Sequence, residues 1–144
     1  MHEVEAYRLL IADVYELAGV SRRTSEDLAR SAGQTAARWH VLSVVSDGPR
    51  TVPAAARRLG LAPQSVQRVV ADLVASGHLE AVDNPDHARS PLMRLTDLGR
   101  SAVDELFARS ADNRADVLAR AGVTADELAV ARGVLRKLVG ALRD

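Results

Sequence analysis

Between Gly77 and Thr96 the chain abandons a spacing that it keeps almost everywhere else. Before and after that stretch, apolar residues recur every three or four positions, the period of a helix with one buried face. Inside it stand two short apolar runs, Leu79–Val82 and Leu92–Thr96. The stretch between them, Asp83-Asn84-Pro85-Asp86-His87-Ala88-Arg89-Ser90-Pro91, is dense in turn formers. A switch of this kind admits one β-hairpin with a long tip, set in an otherwise helical chain. The expected fold class is therefore mainly α with a small β-hairpin wing.

Glycines and prolines punctuate the helical part. Val4, Tyr7, Ile11, Val14 and Ala18 form a first stripe, with Leu10 and Leu17 beside it. Gly19 and the polar stretch Ser21–Ser25 weaken it before Leu28 and Ala29 resume, so one long helix or two fit equally, ending at Gly33. A second helix is expected over Gln34–Ser46, with Ala36, Trp39, Leu42 and Val45 inward and Asp47-Gly48-Pro49 as its stop. Thr51 reads as the N-cap of a short helix, Val52–Leu59, which ends at Gly60. Pro63 opens the next, with Val66, Val69, Val70, Leu73 and Val74 on a buried face, and Gly77 closes it. After the hairpin, Thr96 caps a helix over Asp97–Arg120. Thr124 to Glu127 fits a capping box. The last helix then repeats Leu128, Ala131, Leu135, Leu138 and Leu142 as an a/d seam.

A short helix ending in glycine, a second helix with one polar face and a hairpin directly after it form the order of a winged helix-turn-helix. The second helix of such a motif can enter a major groove about 12 Å wide, its N-terminal residues facing base edges. Pro63, Gln64, Ser65, Gln67 and Arg68 occupy those positions. Glutamine can bond adenine, and arginine guanine, through two hydrogen bonds each. The alternative is a small α/β core whose polar helix face meets water. Total charge argues against DNA, because 19 basic and 19 acidic residues give a net charge of +0, whereas a DNA-binding domain is usually basic. The distribution answers this. Residues 50–96 hold six arginines against four acids, a net +2, whereas residues 1–49 are net −2 and residues 97–144 net 0. The neutral total conceals a modestly basic winged helix, for which a salt-sensitive complex of limited nonspecific affinity is expected.

Residues 51–100 resemble the MarR family of bacterial winged-helix regulators. The resemblance lies in TVPAAARRLGLAPQSVQRVVADLVASGHLE and NPDHARSPLMRLTDLGR. It rests on the Leu59-Gly60 turn, the helix from Pro63, the Gly77-His78-Leu79 start of the wing, the tip at Asp86–Arg89, and Leu95-Thr96-Asp97-Leu98-Gly99 at its exit. The resemblance implies one compact chain in three regions. These are N-terminal dimerisation helices over 1–33, a DNA-binding lobe over 34–99 and C-terminal dimerisation helices over 100–144. It also implies a homodimer on a pseudo-palindromic double-stranded operator, typically as a repressor relieved by a small aromatic or anionic effector. Arg89 would enter a minor groove, with His87 beside it. Arg50, Arg57, Arg58, Ser90 and Arg94 are expected on phosphates. The dimer seam would take Leu10, Ile11, Leu128, Leu135, Leu138 and Leu142. An effector between the dimer helices and the DNA-binding lobe would meet Tyr7, Arg38, Trp39 and His40, with Trp39 stacking on it and Arg38 or His40 answering a carboxylate. From the residues alone, Trp39 reads first as a core residue linking helices, and intrachain core is the alternative to a dimer seam in the last helix. Two positions depart from the family pattern. His87 and Ala88 stand where an aspartate and an arginine are usual, and Asp86 offers a carboxylate one residue early. Ala62 replaces a usual serine N-cap, which forfeits about 1 kcal/mol.

Other functions find less support. The sequence holds no Gly-rich phosphate loop and no nucleophile elbow, so an enzyme is not expected. His2, His40, His78 and His87 do not pair at metal-ligand spacing, and the chain has no cysteine, so neither metal nor cofactor is expected. Residues 50–96 contain no Phe, Tyr or Trp on which single-stranded RNA could stack. A winged-helix protein–protein adaptor without DNA-binding activity is the remaining alternative, and Arg89 on a long polar tip suits a minor groove better. The N-terminal MHEVEAY lacks a secretory pattern, and no apolar run approaches the ~18 residues of a membrane span, so a cytoplasmic location without a membrane partner is expected.

Overall fold

The structure, a computed structural model, describes residues 1–144. Its order is α1 (Glu3–Ser31), α2 (Ala36–Ser46), α3 (Val52–Leu59), α4 (Pro63–Ala75), β1 (Leu79–Val82), β2 (Leu92–Leu95), α5 (Asp97–Ala121) and α6 (Ala125–Arg143). The expected fold class is therefore the observed one. By packing, residues 1–108 form one compact unit and residues 109–144 a second. The three regions read from the sequence divide the chain by role instead.

In the first unit, α1 is one continuous helix through Gly19 and the polar stretch. Residues 19–23 are exposed there, so they interrupt the apolar stripe without breaking the helix. Helix α2 begins at Ala36, because Thr35 supplies the cap and its Oγ1 accepts the Arg38 N–H at 3.1 Å. Gln34 instead closes α1, donating its N–H to the Ala29 carbonyl at 2.8 Å. Thr51 Oγ1 accepts the Ala54 N–H at 3.2 Å and starts α3. That helix ends at Gly60, whose φ of 68° lies in the left-handed region open to glycine. The Gly60 and Leu61 N–H groups then reach back to the Arg57 and Ala56 carbonyls at 3.2 and 3.0 Å, a Schellman turn. Ala62, as expected of its side chain, gives α4 no side-chain cap.

Strands β1 and β2 pair antiparallel, with Leu79 opposite Leu95, Glu80 opposite Arg94, Ala81 opposite Met93 and Val82 opposite Leu92. A third segment joins them. Arg50 exchanges both backbone hydrogen bonds with Met93, at 3.1 and 2.6 Å. The main core gathers Val41, Leu42 and Val45 of α2, Ala55 and Ala56 of α3, Val66, Val70 and Leu73 of α4, then Leu79, Met93 and Val103. A second cluster holds Ala29, Trp39 and Leu106.

In the second unit, Thr124 and Glu127 form the expected capping box, their reciprocal bonds at 3.2 and 3.1 Å. Helix α6 has no buried residue. No helix of the chain is long and apolar enough to cross a membrane.

Candidate nucleic-acid interface

The core sets the rotation of α4. Val66, Val70 and Leu73 are buried, so Gln64, Ser65, Gln67 and Arg68 face outward. The hairpin is fastened to the far end of the same helix. Thr96 Oγ1 donates to the Gly77 carbonyl and accepts the Gly99 N–H at 3.1 Å, and the Thr96 N–H donates to the His78 carbonyl at 3.2 Å. Gly99 lies against that carbonyl so closely that a Cβ would fall 2.0 Å from its oxygen. The Leu95–Gly99 stretch is thus a staple between the hairpin, α4 and α5.

Asn84 organises the hairpin tip. Its Oδ1 accepts the Asp86 N–H at 3.1 Å, its carbonyl accepts the His87 N–H at 3.2 Å, and its Nδ2 donates to the Ser90 carbonyl at 2.9 Å. The Ser90 N–H donates to the His87 carbonyl at 3.2 Å. Sequence reasoning passed over Asn84, although Asn ahead of Pro among turn formers is a signal for such a turn.

A groove of about 650 Å³ lies between the start of α4 and the wing. Gln64, Gln67 and Arg68 line it from α4, Arg89 and Ser90 from the wing, over a floor that includes Val52, Pro63, Pro91 and Met93. Six of the predicted contact residues therefore meet in one concavity. Ser65 and His87 are exposed on the same two elements, outside its lining. Arg57 and Arg58 are exposed in the last turn of α3. Arg50 and Arg94, also expected on phosphates, have the following partners within the chain. Arg50 is half-buried and donates through Nε to the Val44 carbonyl at 3.0 Å. Arg94 pairs with Glu80 across the hairpin at 2.6 Å.

The residues expected at an effector are not gathered in this unit. Trp39 is 3% exposed and packs with Ala29 and Leu106, which makes it a core residue. Tyr7 lies 22 residues before Ala29 on α1, about 33 Å along the helix axis. The His40 ring is 6.3 Å from the Trp39 ring, centroid to centroid. Burial, and then the charge of Arg22, hold its pKa below the ordinary histidine value. Arg38 turns toward the end of α4, donating to Gln34 Oε1 at 2.8 Å and to Ser76 Oγ at 2.9 Å. Ser76 Oγ lies 2.7 Å from His78 Nδ1, whose pKa burial and Arg38 also lower. This polar node joins residues 44 positions apart at its extremes, and no local pattern announces it. The seam residues Leu10 and Ile11 are half-buried on α1. On α6, Leu138 is half-buried, whereas Leu128, Leu135 and Leu142 are exposed.

Residues 32–90 match the model of the MarR family. Over 137 residues the chain is 47% identical to the uncharacterized protein Rv2011c of Mycobacterium tuberculosis, covering 93% of this chain and 92% of that one. The uncharacterized protein Mb2034c of Mycobacterium bovis matches to the same extent. Among solved structures, a mutant MarR from E. coli complexed with operator DNA superposes with a TM-score of 0.71 at 22% identity, covering 96% of this chain and 99% of that one. CouR from Rhodococcus jostii RHA1, bound to p-coumaroyl-CoA, gives a TM-score of 0.76 at 18% identity, covering 88% of each chain. At these identities the likeness to solved structures is one of fold.

Proposed function

The chain belongs to the MarR family, and from that premise we propose that it is a homodimeric, sequence-specific regulator of transcription on double-stranded DNA, acting as a repressor relieved by a small molecule. The observation that carries this reading is the shared groove, in which Gln64, Gln67 and Arg68 of α4 stand opposite Arg89 and Ser90 of the wing. Helix α4 enters a major groove, its first turns against base edges. The wing sends Arg89 toward the flanking minor groove. Arg57 and Arg58, exposed beside α4 at the end of α3, meet phosphates, which fix position without reading sequence. Two copies related by a two-fold axis read half-sites about 34–36 Å apart. Effector relief follows if the small molecule binds better to a spacing of the two lobes that no longer matches the half-sites. Structures of this fold include CouR with p-coumaroyl-CoA bound and a Staphylococcus aureus MarR in complex with salicylate and kanamycin; the aromatic, anionic ligands among these are the model for the effector of this chain.

The test is selection of bound duplexes from a random-sequence pool. The expected product is an inverted repeat with half-sites one helical turn apart. Absence of any enriched sequence at low salt would overturn the reading and favour an adaptor.

A further inference from the structure

The wing carries one arginine at its tip, and that arginine lines the groove with α4. A flexible tip would hold it there only part of the time, since ordering each residue of a loop costs backbone entropy. The tip is long, has no strand pairing of its own between Asp83 and Pro91, and is exposed apart from Asn84 and Ser90. Two backbone hydrogen bonds turn the chain within it, His87 to Asn84 and Ser90 to His87, and one side chain ties its two ends together. Asn84 spans the loop, accepting from Asp86 at its near side and donating to the Ser90 carbonyl at its far side. Ser90 adjoins Arg89 in sequence and lines the same groove. An amide is the side chain suited to this task, because it supplies an acceptor and a donor together.

We propose that Asn84 is a positioning residue for DNA binding, which acts through the loop it closes to hold Arg89 beside the recognition helix. The proposal rests on the DNA-binding reading above. It assigns Asn84 no contact with DNA. Its removal should therefore remove the contribution of Arg89, while leaving that of Gln64, Gln67 and Arg68 in place. Asp86 and His87, also in the loop, take part through backbone groups, the Asp86 N–H and both the N–H and the carbonyl of His87, so their side chains are dispensable for closure.

The experiment compares wild type, Asn84→Ala, Arg89→Ala and the double variant as full-length protein, using a duplex recovered by selection. Salt dependence of the binding constant is the readout, with backbone ¹⁵N relaxation of the free protein beside it. Arg89→Ala is expected to lower the salt slope by about one. Asn84→Ala should lower it nearly as far, and the double variant no further than Arg89→Ala alone. Order parameters should fall at residues 85–90 in Asn84→Ala and nowhere else. The proposal is overturned if Asn84→Ala leaves those order parameters unchanged, or if its effect on the slope adds in full to that of Arg89→Ala. Should Arg89→Ala itself leave the slope unchanged, the DNA-binding role of the wing fails instead, and relaxation still decides whether Asn84 orders the loop.

Discussion

Arg68 and Arg89 line one groove from different elements, so their losses should differ in kind. An arginine on a base edge reads sequence, whereas one held by the wing in a narrow groove contributes mainly charge. Arg68→Ala is expected to cost ~1–3 kcal/mol and to relax preference at one base pair per half-site. A repeat of the sequence selection with the variant checks this, and an unchanged preference removes Arg68 from the readout. The histidines make a second prediction. His40 and His78 both have pKa values below the ordinary one, chiefly through burial. The folded state therefore binds fewer protons than the unfolded chain in the window between the lowered values and about 6.5. Stability is fully present above that window, falls as pH drops through it, and levels off below. Thermal melts between pH 7.5 and 5 should show the fall, and His40→Gln with His78→Gln should flatten this part of it.

Helix ends account for most of what was legible at the scale of elements. The bounds of α3 and β1 agree with the sequence reading, because Thr51, Gly60 and Gly77 act within a few residues of themselves. The start of α2 was displaced by two residues because Gln34 serves the helix before it. The Arg50–Met93 bridge was not legible at all, since a single pair has no period. Two variants test this local logic. Ala62→Ser should supply the missing cap of α4 and raise stability by about 1 kcal/mol, measured by denaturant unfolding. Gly99→Ala should do the opposite, because its Cβ would meet the His78 carbonyl. The backbone at the staple must then shift, and a markedly lower melting temperature is the expected result.

Across the whole molecule, apolar surface is left uncovered at both ends of the chain. On α1, Leu17 and Val20 are 69% and 57% exposed, and on α6 Leu128 and Leu142 are 45% and 71% exposed. A helix of this length gains most of its stability from burying an apolar face, yet α6 buries no residue. On the proposed reading of the chain as a two-fold DNA-binding protein, a second copy covers this surface. Leu135→Asp combined with Leu138→Asp should therefore give a monomer by sedimentation equilibrium. A dimer that survives both changes would place the contact elsewhere.

By itself the sequence determined the kind and order of the elements, the polar face of α4 and the long tip of the wing. Periodicity, caps and turns are local, and each is written within one or two helical turns. Only the tertiary structure decided that Trp39 is core, that Arg50 and Arg94 have partners within the chain, and that Arg89 shares a groove with Gln64 and Arg68. Those outcomes depend on partners distant in sequence. Glu80 stands opposite Arg94 only once the hairpin has its register, and Leu106 reaches Trp39 only once α5 has packed back on α2. Their physical cause is packing, which joins residues that share no local pattern.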